Sequence, residues 1–376
     1  MSALTYDVVI VGAGIVGAAC ADEGARRGMS VLVVERDVIG SGATAAGMGH
    51  IVVMDDSDAQ FALTRYSQQL WQQLRAELPS DVEYEQCGTI WVATDEEEMA
   101  EVQRKRDYYA ARDVPVEVLD SSALERAEPH LRKGMAGGLL VPEDAVLYPP
   151  CGARFLLERA QRAGAKLQMG QSVEQIGQGR VGLSDGTEVY ASIIVNAAGA
   201  WSTALTAGLG IKKRKGHLLI TDRYPHVVRH QLVELGYLKS AHSSTGDSVA
   251  FNVQPRKTGQ ILIGSSRQYD SEYSQVDSEI LGRMLNRAEQ YVPCLKEMSA
   301  IRVWTGFRAA TADKLPLIGP WPEDKTLFLA TGHEGLGITT SLGTARLLVD
   351  QMTGSPSAIP VEPYLPARVM SGVSCA

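Results

Sequence analysis

Three glycines near the start of the chain constrain its fold more than any other feature. They form the pattern Gly12-x-Gly14-x-x-Gly17, which follows an apolar run at Tyr6 to Val11 and opens an alanine-rich segment. A second apolar run ends in the acidic residue Glu35. In this context the glycines permit a tight turn and close approach of a pyrophosphate, and the carboxylate accepts ribose hydroxyls. The pattern predicts a βαβ unit that binds a dinucleotide, with an ordinary glycine turn as the alternative. Glu35 disfavours NADP, whose 2′-phosphate it would repel.

Length, composition and charge indicate a conventional globular protein with two domains. A chain of 376 residues is long for one core but comfortable for two. Apolar residues at 45% and charged residues at 21% disfavour a disordered or fibrous chain. The net charge of -8, with Lys212 to Lys215 as the only dense basic run, predicts that the protein does not bind nucleic acid.

The apolar segments predict neither a signal peptide nor a membrane anchor. The first apolar run has no positive leader and is interrupted by glycines, which is typical of a strand and turn. No later stretch reaches the roughly 18 apolar residues that a transmembrane helix needs. We therefore expect a cytoplasmic protein.

The cysteines predict no metal or disulfide site. Their number is odd, their spacing is wide, and none forms a C-x-x-C pair. The five positions are Cys20, Cys87, Cys151, Cys294 and Cys375. We expect no iron-sulfur cluster, no zinc site and no metal of any kind.

Three motif regions further along the chain make a family resemblance specific. They are Asn196-Ala197-Ala198-Gly199-Ala200-Trp201, Trp304-Thr305-Gly306-Phe307-Arg308, and Gly332-His333-Glu334-Gly335-Leu336-Gly337-Ile338. Together with the first glycines and a small-residue loop at Gly40 to Gly49, they occur in the expected order. From Tyr6 to about Met352 the chain resembles the D-amino acid oxidase superfamily of FAD enzymes, particularly its glycine oxidase, sarcosine oxidase and dye-linked dehydrogenase branch.

The resemblance and the pattern of elements imply an α/β protein with interleaved domains. A Rossmann-type FAD-binding domain is expected at 1–85, 145–211 and 319–376. An α+β substrate domain with a mixed antiparallel sheet is expected at 86–144 and 212–318. Helices are predicted at Asp58 to Leu78, Asp95 to Arg112, Ser278 to Val292 and Ile338 to Met352, a strand at Thr89 to Ala93, and a connection between lobes at Gly134 to Pro150.

The residues expected to bind FAD come from every part of the predicted Rossmann-type domain. The first turn and second strand supply phosphate and ribose contacts, the small-residue loop passes the flavin, and the late glycine turn cups the isoalloxazine. They are Gly12, Gly14, Ile15, Gly17, Glu35, Arg36, Ser41, Thr44, Ala46, Gly47, Gly49, Val173, Ala198, Gly199, Trp201, Gly332, Gly335, Leu336, Gly337 and Ile338.

Three side chains are candidates for the catalytic site. Arg308 offers a planar guanidinium that can hold both oxygens of a carboxylate, although a surface ion pair is the ordinary role of a lone arginine. His333 lies in the late glycine turn and His50 ends the small-residue loop. A satisfied or exposed side chain is the usual alternative for a lone histidine.

The resemblance implies oxidation of a small amine that carries a carboxylate, by hydride transfer to flavin N5 that leaves an imine. The segment Ala46 to Ser57 is similar to bacterial D-hydroxyproline dehydrogenases and opine oxidases, several of which are β-subunits of heteromeric complexes. D-Hydroxyproline, another D-amino acid, sarcosine, glycine or an opine is therefore the expected substrate. Oxygen, a quinone or a partner subunit is the expected electron acceptor, and a hetero-oligomer with other dehydrogenase subunits is implied.

The mode of flavin attachment and two other functions stay open. Relatives with covalent flavin use a cysteine after the late strand or a histidine near the N-terminus. Phe307 to Pro316 contains no cysteine, which favours non-covalent FAD, whereas His50 leaves the second attachment open. A flavoprotein scaffold or sensor without turnover is one alternative function, and a flavin-dependent monooxygenase that needs NAD(P)H is the other.

Overall fold

The computed structural model describes residues 4–236, 246–269 and 271–370, and the chain divides into two compact units. Unit 1 comprises Met1–Val82, Tyr148–Lys213 and Phe307–Ala376. Unit 2 comprises Glu83–Leu147 and Arg214–Gly306. Cys375 lies outside the described residues.

The helices alternate with strands along much of the chain. They are α1 (Ile15–Arg26), α2 (Asp58–Leu74), α3 (Glu96–Ala110), α4 (Ser121–Ala127), α5 (Pro149–Arg162), α6 (Ser202–Leu205), α7 (Ser278–Tyr291), α8 (Gly337–Thr353) and α9 (Ala367–Met370).

The strands belong mainly to two sheets. They are β1 (Leu4–Val11), β2 (Val31–Glu35), β3 (His50–Ile51), β4 (Thr89–Ala93), β5 (Glu117–Asp120), β6 (Gly137–Val141), β7 (Ala145–Val146), β8 (Lys166–Met169), β9 (Val173–Gly177), β10 (Arg180–Leu183), β11 (Glu188–Asn196), β12 (Lys212–Arg223), β13 (Gln231–Glu234), β14 (Ser248–Pro255), β15 (Gln260–Arg267), β16 (Ala300–Ala310), β17 (Leu317–Trp321) and β18 (Asp324–Thr331).

Unit 1 is built on a largely parallel sheet with the order β17-β18-β11-β1-β2-β8. β1 is central and pairs in parallel with both β2 and β11. Because crossover helices cover the faces of a parallel sheet, its central strands carry buried apolar runs, such as Val8–Val11 of β1 and Val31–Val34 of β2. Helix α1 packs against α5 and α8, and its alanines let these helices approach closely. The carboxyl ends of β1, β2 and β11 therefore meet at one edge of the sheet, which is where α/β proteins bind ligands.

Unit 2 contains an eight-stranded mixed sheet with the order β16-β12-β15-β14-β13-β4-β6-β5. The pairing of β13 with β4 is parallel, whereas β13–β14, β14–β15 and β4–β6 are antiparallel. One face of the sheet carries the apolar core, including Ile90, Leu232 and Val253, which clusters with Met284 of α7. The alternation of side chains along each strand directs Thr89 and Asn252 to the opposite face.

The unit boundaries differ most from the predicted domain boundaries near Arg308. Three observed boundaries lie within three residues of 85/86, 144/145 and 211/212, but the last falls between Gly306 and Phe307 rather than after 318. Leu317 pairs with Thr331 of β18, a strand of the unit 1 sheet, and residues 307–318 belong to unit 1 with it. Arg308 therefore belongs to unit 1.

The glycine-rich passage from Gly134 to Pro150 is not simply a connection. It contains β6 and β7, and the chain passes from unit 2 to unit 1 only at 147/148. A Cβ at Gly138 would lie 2.6 Å from the Trp91 carbonyl oxygen, and one at Gly137 would meet the Leu119 carbonyl oxygen. These glycines allow the neighbouring strands to pack closely. A glycine-rich strand of this kind has the composition of a loop, so the sequence predicts a connection instead.

The described ranges contain neither a membrane-spanning helix nor a cluster of metal-binding side chains. None of the helices there is long and apolar enough to cross a membrane. The same ranges hold no group of three or more His, Cys, Asp or Glu side chains placed to bind a metal ion.

Candidate functional site

The turn between β1 and α1 requires glycine at its first and last positions. Gly12 has φ +108°, and a Cβ there would lie 2.8 Å from the Ala197 carbonyl oxygen. A Cβ at Gly17 would meet the backbone oxygen of Gly12 itself. Neither position can hold a side chain unless the backbone moves, so the turn is tightly closed against the end of β11.

Gly14 differs from these two glycines because a Cβ there would approach a side-chain atom rather than the backbone. It caps the N-terminus of α1 in an extended conformation with φ −64°. Within 4 Å of a Cβ built there, the only described atom outside its immediate chain neighbours is Thr44 Oγ1, at 3.3 Å. The structure thus leaves a backbone cradle at the helix N-terminus, where the macrodipole favours a phosphate group.

Glu35 and Thr44 brace the cradle through backbone N–H groups. The Ala13 N–H donates to Glu35 Oε2 at 2.7 Å, and the Asp37 N–H donates to Glu35 Oε1 at 2.8 Å. The Ile15 N–H donates to Thr44 Oγ1 at 3.0 Å. The sequence predicts only that Glu35 contacts the ribose. Its second function, holding the turn, depends on long-range geometry that no local signal reveals.

Arg36 and Trp201 bring the ends of β2 and β11 together with the small-residue loop. The Arg36 guanidinium carbon lies 4.5 Å from the centroid of the Trp201 ring, within cation–π range. A Cβ at Gly42, in the loop, would lie 3.6 Å from the same ring. Three predicted cofactor segments that are far apart in sequence therefore converge at this edge of unit 1.

Asn196, which sequence reasoning did not select as a site residue, anchors the loop after β11. It is fully buried, and its amide nitrogen donates to the Ser202 carbonyl oxygen at 3.1 Å and to Thr206 Oγ1 at 3.0 Å. Its amide oxygen accepts from the Ala198 N–H at 3.2 Å. Ser202 Oγ in turn donates to Thr331 Oγ1, at the end of β18, at 2.9 Å. These hydrogen bonds hold the predicted Ala198–Trp201 segment in one conformation. The buried asparagine just before this segment is the sequence feature that could have indicated the anchor.

The late glycine turn joins β18 to α8 and lies beside Arg308. The Glu334 N–H donates to the Ala309 carbonyl oxygen at 2.8 Å, which ties the turn to the end of β16. A Cβ at Gly335 would lie 3.7 Å from Arg308 Nε. Arg308 is half-buried, and α8 begins at Gly337, two residues after Gly335. A guanidinium and a helix N-terminus, both positive, are therefore close together.

His333 is directed into unit 1 and is neutral. Its Nε2 lies 3.0 Å from Thr344 Oγ1 of α8, and the side chain is buried. Burial lowers the pKa of this imidazole to about 3. These features favour a role in holding the turn against α8 over a role in proton transfer near neutral pH.

The remaining predicted residues lie in the small-residue loop and at strand ends. The carbonyl oxygen of His50, in β3, accepts from Thr339 Oγ1 at 2.8 Å. A Cβ at Gly47 would lie 2.6 Å from Ile338 Cδ1, which places this loop against the start of α8. Val173 begins β9 and pairs with Leu183. Ser41, Ala46 and Gly49 belong to the same loop, and Gly332 and Leu336 belong to the late turn.

The comparison with protein families decides the assignment. The family model described as DAO, FAD dependent oxidoreductase, matches residues 7–351. The chain belongs to this family. The predicted family resemblance, the α/β fold with mixed sheets and the enzyme class, an FAD-dependent amine or amino acid oxidase or dehydrogenase, are confirmed.

Individual proteins resemble the chain over nearly its whole length. The glycine oxidase of Geobacillus kaustophilus is 28% identical over 371 residues, covering 96% of each chain. Its crystal structure has a TM-score of 0.87 and covers 97% of this chain and 99% of that one. The hydrogen cyanide synthase subunit HcnC of Pseudomonas aeruginosa is 28% identical, covering 97% of this chain and 96% of its own. The L-proline dehydrogenase of P. horikoshii, 23% identical with a TM-score of 0.87, covers 98% of this chain and 99% of its own and shares the fold.

FAD is the cofactor of this family, and the residues present in unit 1 fit it. The open cradle at Gly14 suits a pyrophosphate, since any larger residue would fill it. Glu35 lies at the end of β2, where a ribose is expected, and retains carboxylate lone pairs beyond the two N–H groups it accepts. Gly335 and Gly337 carry no side chain, so a ligand can approach the backbone closely at these two positions before and at the start of α8.

Proposed function

We propose that this FAD-dependent oxidoreductase oxidises a small amine that carries a carboxylate, and that Arg308 binds the carboxylate. The observation that carries the proposal is the position of Arg308, with Nε 3.7 Å from a Cβ built at Gly335 in the turn before α8. A planar guanidinium there can form two parallel hydrogen bonds to a carboxylate. Neither a scaffold nor a sensor needs such a group.

Each part of the proposed site has a defined task. Bound FAD supplies a two-electron acceptor for the hydride that leaves the substrate carbon. Arg308 orients the substrate by its carboxylate, so that the carbon–hydrogen bond is presented in one direction. The N-terminus of α8 contributes a positive partial charge that favours negative charge beside it.

We assign no general base. An amine taken up in its neutral form needs no proton acceptor on the protein before hydride transfer. His333 is neutral and hydrogen-bonded to Thr344, so we give it a positioning role. We propose that His50 borders the site, because it ends the small-residue loop that passes the flavin.

The substrate range and the acceptor are proposed from the relatives and from the resemblance of Ala46 to Ser57 to D-hydroxyproline dehydrogenases and opine oxidases. The similar proteins include glycine oxidases and a hydrogen cyanide synthase subunit. We propose glycine, sarcosine, a D-amino acid such as D-hydroxyproline, or an opine as substrate, and oxygen, a quinone or a partner subunit as electron acceptor. Because HcnC is described as a subunit, a hetero-oligomer is part of the proposal. A cytoplasmic location stays a prediction.

Anaerobic reduction of the bound flavin tests the proposal directly. The purified holoenzyme is mixed with D- and L-amino acids, sarcosine, hydroxyproline isomers and opines, and flavin absorbance is followed over time. Carboxylate-bearing amines should bleach the flavin, whereas the matching decarboxylated amines should not. Rapid bleaching by NADPH alone would support a monooxygenase instead, and no bleaching by any amine would contradict the proposal.

With the best substrate, the oxidised product is then identified and the rate of turnover is measured with different electron acceptors. Air, a quinone and an artificial dye are compared as acceptors at equal concentration. If the similarity to dehydrogenase subunits holds for function, the dye and the quinone should support turnover far better than oxygen. Rapid peroxide formation in air would identify an oxidase.

A further inference from the structure

Two segments that are predicted to contact FAD meet at the carboxyl ends of β11 and β18. The two strands pair in parallel, and the last residues paired are Asn196 and Leu329. Beyond that pair, β11 leads into Ala198–Trp201, and β18 leads into the late glycine turn that begins at Gly332. The contacts that join the two chains beyond the last backbone pair therefore set the distance between these segments.

Two buried hydroxyl groups connect the chains at this point. Ser202 Oγ donates to Thr331 Oγ1 at 2.9 Å, and Thr331 Oγ1 donates to the Gly199 carbonyl oxygen at 3.1 Å. Both hydroxyl-bearing residues are buried. Because a threonine hydroxyl has a single hydrogen, Thr331 accepts one bond and donates the other in a fixed direction. We call this pair of hydrogen bonds the hydroxyl clamp.

The chain is anchored on both sides of the hydroxyl clamp. On the β11 side, the Asn196 amide donates to the Ser202 carbonyl oxygen at 3.1 Å. On the β18 side, His333 pairs with Ala310 in an isolated antiparallel bridge, and Ala310 lies two residues after Arg308 in β16. A hydrogen bond between two anchored segments sets their relative position, so the clamp ties the late turn and the strand of Arg308 to the other FAD segment.

The chain has little slack between the hydroxyl clamp and the late turn. Gly332 alone separates Thr331 from His333, and it has φ +80°. A Cβ at Gly332 would lie 2.8 Å from Thr311 Cγ2, so the backbone is confined on that side. His333 in turn contacts Thr344 of α8, with 3.0 Å between Nε2 and Oγ1. A change in the position of Thr331 is therefore passed to the turn and to α8 within a few residues.

We infer that Thr331 is a positioning residue for the oxidation, because the hydroxyl clamp fixes the spacing between Ala198–Trp201 and the turn beside Arg308. The inference rests on the proposed function, in which Arg308 binds the substrate carboxylate. Thr331 acts through Arg308 and α8, and not by its own contact with the substrate. Since a misplacement of about 1 Å can lower the rate of a positioned reaction by ~100-fold, loss of the clamp should be measurable at the flavin.

Thr331→Val tests the inference, because valine keeps the branched shape of threonine and removes the hydroxyl. The matched control is Thr326→Val, at the other end of the same strand. Thr326 Oγ1 also makes two hydrogen bonds, since it donates to Asp324 Oδ1 at 2.6 Å and accepts from the Gly179 N–H at 2.8 Å. Both variants should unfold at a lower temperature than the wild type, because each leaves polar groups without partners.

Only Thr331→Val should alter the bound flavin and the binding of a carboxylate. Its limiting rate of anaerobic flavin reduction at saturating amine should fall by about 10- to 100-fold, and the visible circular dichroism spectrum of its flavin should change. Acetate, titrated into the oxidised holoenzyme, should bind about 10-fold more weakly, as expected when a charge-assisted hydrogen bond is lost. Thr331→Ser keeps the hydroxyl and should recover all three properties. Thr326→Val should match the wild type in all three.

Each remaining outcome has a defined meaning. If Thr331→Val loses stability but keeps the wild-type spectrum, rate and acetate affinity, or if Thr331→Ser behaves like Thr331→Val, the inference is wrong. If Thr331→Val does not fold, Ser202→Ala takes its place, because it removes one bond of the clamp, and wild-type properties in that variant would contradict the inference. If no amine reduces the wild-type flavin, the proposed function fails, and the dichroism spectrum together with titration of the apoproteins with FAD still decides whether the clamp positions the cofactor segments.

Discussion

Arg308 acts, in the proposed mechanism, through the planar shape of its guanidinium as well as its charge. Charge-assisted hydrogen bonds contribute roughly 1.5–3 kcal/mol each, so Arg308→Ala should lower kcat/KM by about two to four orders of magnitude. Arg308→Lys should recover part of the loss, because a point charge cannot form the two parallel bonds. Stopped-flow reduction of the flavin measures both.

The control for this pair of variants is Arg302→Ala, on the same strand. Arg302 is exposed, and its guanidinium lies over the Trp304 ring. That variant should reduce its flavin at the wild-type rate. All three proteins should retain FAD. A wild-type rate of flavin reduction in Arg308→Ala would disprove the proposal that Arg308 binds the substrate carboxylate.

His333 makes the stability of the protein depend on pH in a defined direction. Its folded-state pKa is lowered to about 3 from 6.5, so below about pH 6.5 the unfolded chain takes up a proton that the folded chain does not. Stability contributed by this residue is present above that pH and is lost as the pH falls. His333→Gln should reduce the slope of unfolding free energy against pH by up to ~1.4 kcal/mol per pH unit between about pH 6 and 4.

Urea unfolding of the holoenzyme at several pH values measures that slope. His130→Gln serves as the control, because His130 is exposed in unit 2. Its slope should match that of the wild type. Identical slopes for His333→Gln and the wild type would mean that the imidazole is not held neutral in the folded protein.

At the scale of elements, the glycines of the β1–α1 turn have separable tasks. A Cβ at Gly17 would meet the backbone of Gly12, whereas the atom that one at Gly14 would approach, among the described residues, is the side-chain Thr44 Oγ1. Gly14→Val should therefore fold but lose FAD, because the valine fills the phosphate cradle. Gly17→Val should lose both FAD and stability. Flavin content and thermal unfolding of the apoproteins distinguish the two, and a fully flavinylated Gly14→Val protein would show that the phosphates bind elsewhere.

Several elements of this fold could be predicted because their signals are local. The strand Thr89–Ala93 has the bounds that its apolar pattern predicts, and the predicted helix Ser278 to Val292 is shortened by one residue. Val292 is followed by Pro293, which begins a 3-10 turn. The predicted helix at Asp58 to Leu78 ends earlier, at Leu74, because its last turn becomes a 3-10 helix.

The features that could not be predicted depend on contacts between distant segments. The glycines of β6 resemble a connection until Gly138 is seen against the Trp91 backbone. The bracing of the first turn by Glu35 and the anchoring of a loop by Asn196 involve partners that sequence order does not reveal. The orientation of His333 toward Thr344 likewise follows from the packing of α8. The predicted site residues remain predictions until variants are measured.

At the scale of the whole molecule, we predict that FAD is released intact when the protein is denatured. The stretch Phe307 to Pro316 offers no cysteine for attachment. Acid precipitation of the holoenzyme should leave a yellow supernatant and a colourless pellet. A yellow pellet would reveal a covalent bond, and repeating the experiment with His50→Ala would show whether that histidine forms it.

The order of strands in unit 1 has a consequence for biosynthesis. β1 pairs with β11, and β11 pairs with β18, so neighbours in the sheet leave the ribosome at widely separated times. A nascent chain that has reached only Gly306 still lacks the strand that pairs with Ile194–Asn196 of β11, and it lacks the helix that begins at Gly337. Open parallel edges are slow to close and prone to aggregate. Synthesis must therefore have passed β18 and α8 before the flavin can dock, and a chaperone that shields β11 during that interval should raise the yield of yellow protein.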